Sequence, residues 1–132
     1  MVYGMTVRHP WVTEGKICDP RAVWTVWDMT GIERKTMLGY WDPRCPVRAD
    51  RSDVLATVYA GNGDPLVALA SWAADTVRIT LKIDYRALGI DSAGVRLFAP
   101  EVKGFQPERE FRPDELIPVD PGRGWLIIVR RR

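Results

Sequence analysis

From Thr76 to Asp84 the chain alternates polar and apolar side chains without a break. Successive side chains on a strand point to opposite faces. This period of two therefore sends Val77, Ile79, Leu81 and Ile83 into a core, and Thr76, Arg78, Thr80 and Lys82 to water. Shorter runs repeat the signal. Met37-Leu38-Gly39-Tyr40-Trp41 reads as a strand closed by Asp42-Pro43, and residues 54–60 as another with Val54, Ala56 and Val58 on one face. The turn Gly61-Asn62-Gly63-Asp64 makes residues 66–72 the hairpin partner of that second strand. Tyr85-Arg86-Ala87-Leu88-Gly89 reads as one helical turn ended by glycine, followed by a strand at Val95-Arg96-Leu97-Phe98. Residues 100–113 hold no sustained period and read as a long loop with brief extended pieces. Ile117-Pro118-Val119 leads through Asp120-Pro121-Gly122 into Trp125-Leu126-Ile127-Ile128-Val129, an unbroken apolar run suited to a central strand covered on both sides. Short strands at this spacing, separated by glycine and proline turns, predict an antiparallel β-sandwich.

The first 35 residues follow another pattern. Residues 3–7 alternate as a short strand, and residues 9–16 carry the turn-forming composition of a loop. Asp19-Pro20 supplies an N-cap followed by a proline at the first helical position, where its missing N–H costs nothing. Val23, Val26, Trp27 and Thr30 fall at helical spacing, Trp24 widens the stripe, and Gly31 is the stop signal. The expected fold is thus mainly β: an antiparallel sandwich over residues 36–132, preceded by a short strand and one α-helix in residues 1–35.

At 132 residues the chain is long enough to bury a core. No stretch approaches the roughly 18 apolar residues of a membrane span, and no basic-then-apolar leader opens the sequence. The expectation is a soluble protein with no membrane partner. Lysine and arginine total 19 against 17 acids, a net charge of +2. The arginines are dispersed beside acids, as in Asp50-Arg51, and only Arg130-Arg131-Arg132 forms a run. A nucleic-acid footprint requires a clustered patch, so no nucleic acid is expected as partner.

Chemistry is sparse. Cys18 and Cys45 are far apart, and the single His9 cannot complete a zinc set with them, so neither a metal nor a cofactor is expected. Whether the two thiols pair stays open. Any Ser–His–Asp triad would rest wholly on His9, and Ser71 sits in Ala70-Ser71-Trp72 at a strand end rather than in a nucleophile elbow. Glycoside hydrolysis needs two carboxyl groups facing across a sugar. Glu14, Asp19, Asp28, Asp42, Asp50 and Asp53 are available, but no spacing among them demands such a pair. No catalytic residue is assigned.

The six tryptophans are the most suggestive residues. Aromatic planes stack on sugar faces, and an exposed set on a sandwich would bind carbohydrate. Trp24 and Trp27 on a helix stripe, and Trp72 and Trp125 at strand ends, read more simply as core. Trp11, in a polar loop beside His9 and Pro10, is the best exposed candidate.

The order of several short segments resembles a group of large glycoside-hydrolase-like proteins. Tyr3-Gly4-Met5-Thr6, Asp19-Pro20-Arg21-Ala22-Val23-Trp24 with Trp27-Asp28, and Gly39-Tyr40-Trp41 resemble the end of their catalytic barrel. Leu69-Ala70-Ser71-Trp72, Leu81-Lys82-Ile83-Asp84, Gly104-Phe105-Gln106-Pro107 and Pro121-Gly122-Arg123-Gly124-Trp125-Leu126 are similar to their C-terminal β-sandwich. The resemblance implies that residues 1–35 correspond to a late barrel strand and its outer helix, which would give Trp24 and Trp27 a packing partner in a barrel. It implies a non-catalytic accessory domain, with the barrel joined in cis in relatives or supplied in trans. Because barrel sites lie at the C-terminal ends of several strands, the resemblance transfers no catalytic position. Met5, Thr6 and Arg8 near the strand end would line a sugar pocket in a longer relative. Arg8 and Trp11 are therefore the carbohydrate-binding candidates, and Trp24 and Trp27 the partner-packing candidates. Two other readings remain: a carbohydrate-binding module using exposed aromatics, and an interaction protein that pairs with a separately encoded barrel.

Overall fold

The computed structural model describes residue 1, the backbone of residues 11–13 and 16–18, and residues 20–131. The strand expected at residues 3–7 lies outside them. The loop expected over residues 9–16 is corrected where it is described. There β1 (Trp11–Thr13) pairs antiparallel with β2 (Lys16–Cys18), with Trp11 opposite Cys18. Val12, Thr13 and Ile17 are β-branched, which favours extended backbone despite polar neighbours.

The helix α1 (Arg21–Thr30) forms as expected, one position late at its start. Pro20 is itself the cap residue, and its carbonyl accepts the Val23 and Trp24 N–H groups, both at 3.0 Å. Gly31 ends the helix with φ 60° and ψ 47°, a left-handed conformation that glycine adopts without the Cβ clash.

Six strands make the main sheet: β3 (Lys35–Leu38), β5 (Val54–Gly61), β6 (Leu66–Ser71), β9 (Val95–Ala99), β10 (Arg109–Phe111) and β12 (Gly124–Arg131). Their order is β10-β9-β12-β6-β5-β3, and each neighbouring pair is antiparallel. β3 stops at Leu38 instead of reaching Trp41, because the Asp42 N–H closes a turn onto the Gly39 carbonyl at 2.8 Å.

A second, smaller layer consists of two strand pairs. β4 (Val47–Ala49) pairs with β8 (Leu81–Ile83), and β7 (Val77–Ile79) pairs with β11 (Ile117–Val119). The alternating segment is therefore divided at Thr80. The Asp50 carboxylate accepts both the Thr80 N–H (3.1 Å) and its hydroxyl (2.9 Å), which occupies the backbone group that a continuous ladder would use. The alternation itself persists: Ile79 and Leu81 are buried, Arg78 and Lys82 exposed.

Side chains of alternate parity leave the two faces of the main sheet. Val54, Ala56 and Val58 of β5, Val67 and Leu69 of β6, and Ile127 and Val129 of β12 meet Val47, Ile79, Leu81, Ile117 and Val119 of the small layer. This is the sandwich core, and Phe111 is its bulkiest fully buried member. The opposite face presents Tyr59, Leu66, Ala68, Leu126 and Ile128, and Val26 of α1 packs there. The run at residues 125–129 is thus covered on both sides, between β9 and β6. At its start, a Cβ on Gly124 would fall 1.8 Å from the Leu69 carbonyl oxygen, so only glycine lets the two strands meet there.

Candidate functional site

The aromatic residues divide by how the backbone presents them. Trp125 is held inward: its indole N–H donates to the Pro118 carbonyl at 2.7 Å, and its ring stands edge-on to Phe111 at 5.4 Å. Trp72, expected in the core, is 54% exposed. β6 ends at Ser71, so the next residue escapes the ladder, and the Trp72 N–H is tied instead to the Asp53 carbonyl at 2.8 Å. Phe105 is also exposed, at the tip of a tight turn in which the Val102 and Gln106 backbones exchange two hydrogen bonds of 2.9 Å. Nothing in the hydrophobic period marked either residue as exposed. The strand-ending Ser71 and the Lys103-Gly104 turn were the available signals.

Trp72 and Phe105 flank a cleft of about 340 Å³ on the helix side of the main sheet. Ala68, Ala70 and Leu126 line it from the sheet, Val23 from α1, and Arg123 supplies its cationic side chain. Gln106 fixes this corner. Its side-chain amide donates to the Leu126 carbonyl (2.9 Å) and the Pro100 carbonyl (2.7 Å), and accepts the Leu126 N–H at 2.7 Å. One side chain thereby takes the place of a neighbouring strand along β12, before the β9 ladder begins at Ile128.

Trp24 and Trp27 are half-buried on α1, and the Trp27 indole N–H points to the Met1 sulfur at 3.0 Å. The Tyr59 hydroxyl donates to the Met1 carbonyl at 2.7 Å, and burial raises its pKa. Trp11 lies on β1, where only the backbone is described, and Arg8 lies outside the described residues. Among the described residues, the structure brings Val23 of α1 to the Trp72–Phe105 cleft.

Titratable groups are mostly engaged locally. Asp42 and Asp53 each accept a two-pronged arginine, Arg44 at 2.8 and 3.1 Å and Arg51 at 2.7 and 2.8 Å. These bonds hold both carboxyls below the usual aspartate range. Cys45 is a free, buried thiol whose sulfur lies 3.3 Å from the Val47 carbonyl. Among the described residues no three His, Cys, Asp or Glu side chains converge, and no helix is long and apolar enough to cross a membrane.

The sequence profile of the glycoside hydrolase 123 C-terminal domain matches residues 19–130, from the start of α1 through β12. The chain belongs to this family. Among curated proteins, none matches it. The glycoside hydrolase 123 match spans every short segment quoted above from Asp19 onward, including the Gln106 corner and the Gly124 contact. It includes α1 with the sandwich, in agreement with the burial of Val26 against the main sheet. The described fold is accordingly a mainly β C-terminal domain of a glycoside hydrolase family.

Proposed function

We propose that the chain is a non-catalytic accessory domain that packs against and stabilises the catalytic barrel of a glycoside-hydrolase-like protein. The family match carries this reading, since it assigns the sandwich to the C-terminal part of such a protein. The uneven finish of the domain supports it. Val26 anchors α1 to the sandwich, while Trp24 and Trp27 on the same helix keep part of their surface outside. In this reading residues 36–132 are the sandwich and residues 1–35 the connection to the barrel, with α1 between the two bodies. Whether the barrel is in cis or in trans, Trp24 and Trp27 are its packing residues.

The test is a screen of the isolated chain on aryl glycosides, with no turnover expected. Turnover abolished by exchanging a single carboxylate for its amide would overturn the reading. A second measurement adds the chain to a family barrel stripped of its own C-terminal domain. The barrel's melting temperature should rise, and Trp24→Ser with Trp27→Ser should remove that rise.

A carbohydrate-binding role has its own supporting observation, the exposure of Trp72 and Phe105 at one cleft. Trp11 and Arg8 remain candidates for the same role. Quenching of tryptophan fluorescence by a glycan, lost in Trp72→Ala or Trp11→Ala, would establish it.

A further inference from the structure

On the outer face of the small layer, Arg48 of β4 stands directly opposite Lys82 of β8. Their strand neighbours Val47 and Leu81 are buried, so alternation sends both cations outward. Like charges directly opposite on a sheet destabilise it. Neighbouring arginines have acids of their own: Arg44 is paired with Asp42 and Arg51 with Asp53. Arg48 is positioned by the carbonyls of Asp42 (3.2 Å) and Pro43 (3.4 Å), and neither it nor Lys82 forms an ion pair among the described residues. Of the two other acids nearby, Asp50 accepts the Thr80 N–H and hydroxyl, and Asp84 accepts the Ala87 N–H.

Two clefts meet at this pair. One, of about 340 Å³, runs past Tyr40, Asp50, Arg51 and Ser52. The other, of about 510 Å³, runs past Pro43, Arg44, Asp84 and Ala87. Arg48 and Lys82 line both. Several polar groups along the walls are already fixed by internal bonds, which lowers the ordering cost of binding. The cleft linings combine Arg44, Arg48, Arg51 and Lys82 with Asp50, Asp84, Ser52 and Tyr40. That mixture suits a ligand whose hydroxyls donate and accept. A chain charged at every phosphate would instead run against Asp50 in one cleft and Asp84 in the other.

We propose that Arg48 and Lys82 are the centre of a binding site for an acidic saccharide. Its carboxylate or sulfate lies between the two cations, and its rings extend into the two clefts. The site is on the layer farthest from α1 and is independent of the barrel-packing reading.

Calorimetric titration of the whole chain at fixed ionic strength tests the proposal. The probes are tetragalacturonic acid, a chondroitin sulfate tetrasaccharide, neutral cellotetraose and sodium sulfate. Saturable binding of at least one acidic tetrasaccharide is expected, with none for cellotetraose or sulfate alone. Arg48→Gln and Lys82→Gln should each weaken it at least tenfold. Arg78→Gln, on the same layer but lining neither cleft, should change it less than twofold. Circular dichroism and melting of each variant confirm that it is folded. No acidic saccharide binding, equal binding of cellotetraose or sulfate, or an equal loss in Arg78→Gln would each overturn the proposal. None of these outcomes bears on barrel stabilisation, which is read from the barrel's melting temperature.

Discussion

The face of the main sheet that meets β4–β8 and β7–β11 buries Val54, Ala56, Val58, Val67, Leu69, Ile127 and Val129 against a second layer of strands. The opposite face is covered by a ten-residue helix whose one fully buried side chain is Val26. There Trp72 remains 54% exposed and Phe105 37%, both at one apolar cleft. The same strands supply both faces, so the difference lies in what covers them. The sandwich face is closed by the chain's own strands. The helix face is closed in the middle by Val26 and left open at the Trp72 corner, which is the side our functional reading gives to a barrel.

The largest expected effects break this comparison directly. Phe111→Ala, on the sandwich face, removes the bulkiest fully buried side chain and the edge-on partner of Trp125. It should cost about 3–5 kcal/mol, the range for emptying an aromatic site in a packed core. Val26→Ala, on the helix face, deletes two methyl groups at about 0.8 kcal/mol each, so about 1.5–2 kcal/mol is expected. Urea denaturation of the two variants measures both. If Val26→Ala proved as costly as Phe111→Ala, the helix would be integral to the domain rather than a partial cover.

Gln106→Leu sharpens the comparison at the boundary. The variant keeps the volume but leaves the Leu126 N–H and carbonyl and the Pro100 carbonyl without their partner. Unsatisfied buried groups cost about 1–3 kcal/mol, and solvent at the open corner relieves part of this, so about 2 kcal/mol is expected. Amide hydrogen exchange at Leu126 should accelerate more than at Ile127, whose N–H belongs to the central ladder. Equal acceleration at both would mean that Gln106 supports the whole strand and not this corner alone.

The sandwich was legible because its determinants are local. Hydrophobic alternation marked β5, β7 and β8, the unbroken apolar run marked β12, and the Gly61-Asn62-Gly63-Asp64 turn placed β5 beside β6. The break at Thr80 was hidden, since it depends on Asp50, thirty residues earlier in the chain. Trp72 was misread for a related reason. A one-residue difference in where β6 ends decides whether the indole is buried, and periodicity does not fix a strand end to that accuracy. The Arg48–Lys82 pair required the register of two strands distant in sequence. Family resemblance located the Gln106 and Gly124 segments without their physical reasons, which are a side chain acting as a strand and a 1.8 Å approach to a carbonyl.

The smallest expected effect is on acid stability, and it also divides the molecule. Asp42 and Asp53 lie at the ends of the loops flanking β4, beside the small layer, and their arginine bonds depress both pKa values. A carboxyl with a depressed folded pKa contributes stability that is fully present above its unfolded value, near 3.9 for aspartate. That contribution fades as pH falls through the lower folded value. The wild-type domain should therefore lose stability below about pH 4, and Asp42→Asn with Asp53→Asn should flatten that decline. Both pairs face solvent, so salt screens them and the change in melting temperature is expected to be slight. The informative readout is where it occurs. Exchange of amides in β4 and β8 should respond to acid before those in α1, because the two arginine–aspartate pairs brace the loops on either side of β4 and do not touch the helix. A loss beginning in α1 would place the weaker attachment of the domain on its helix side even in acid.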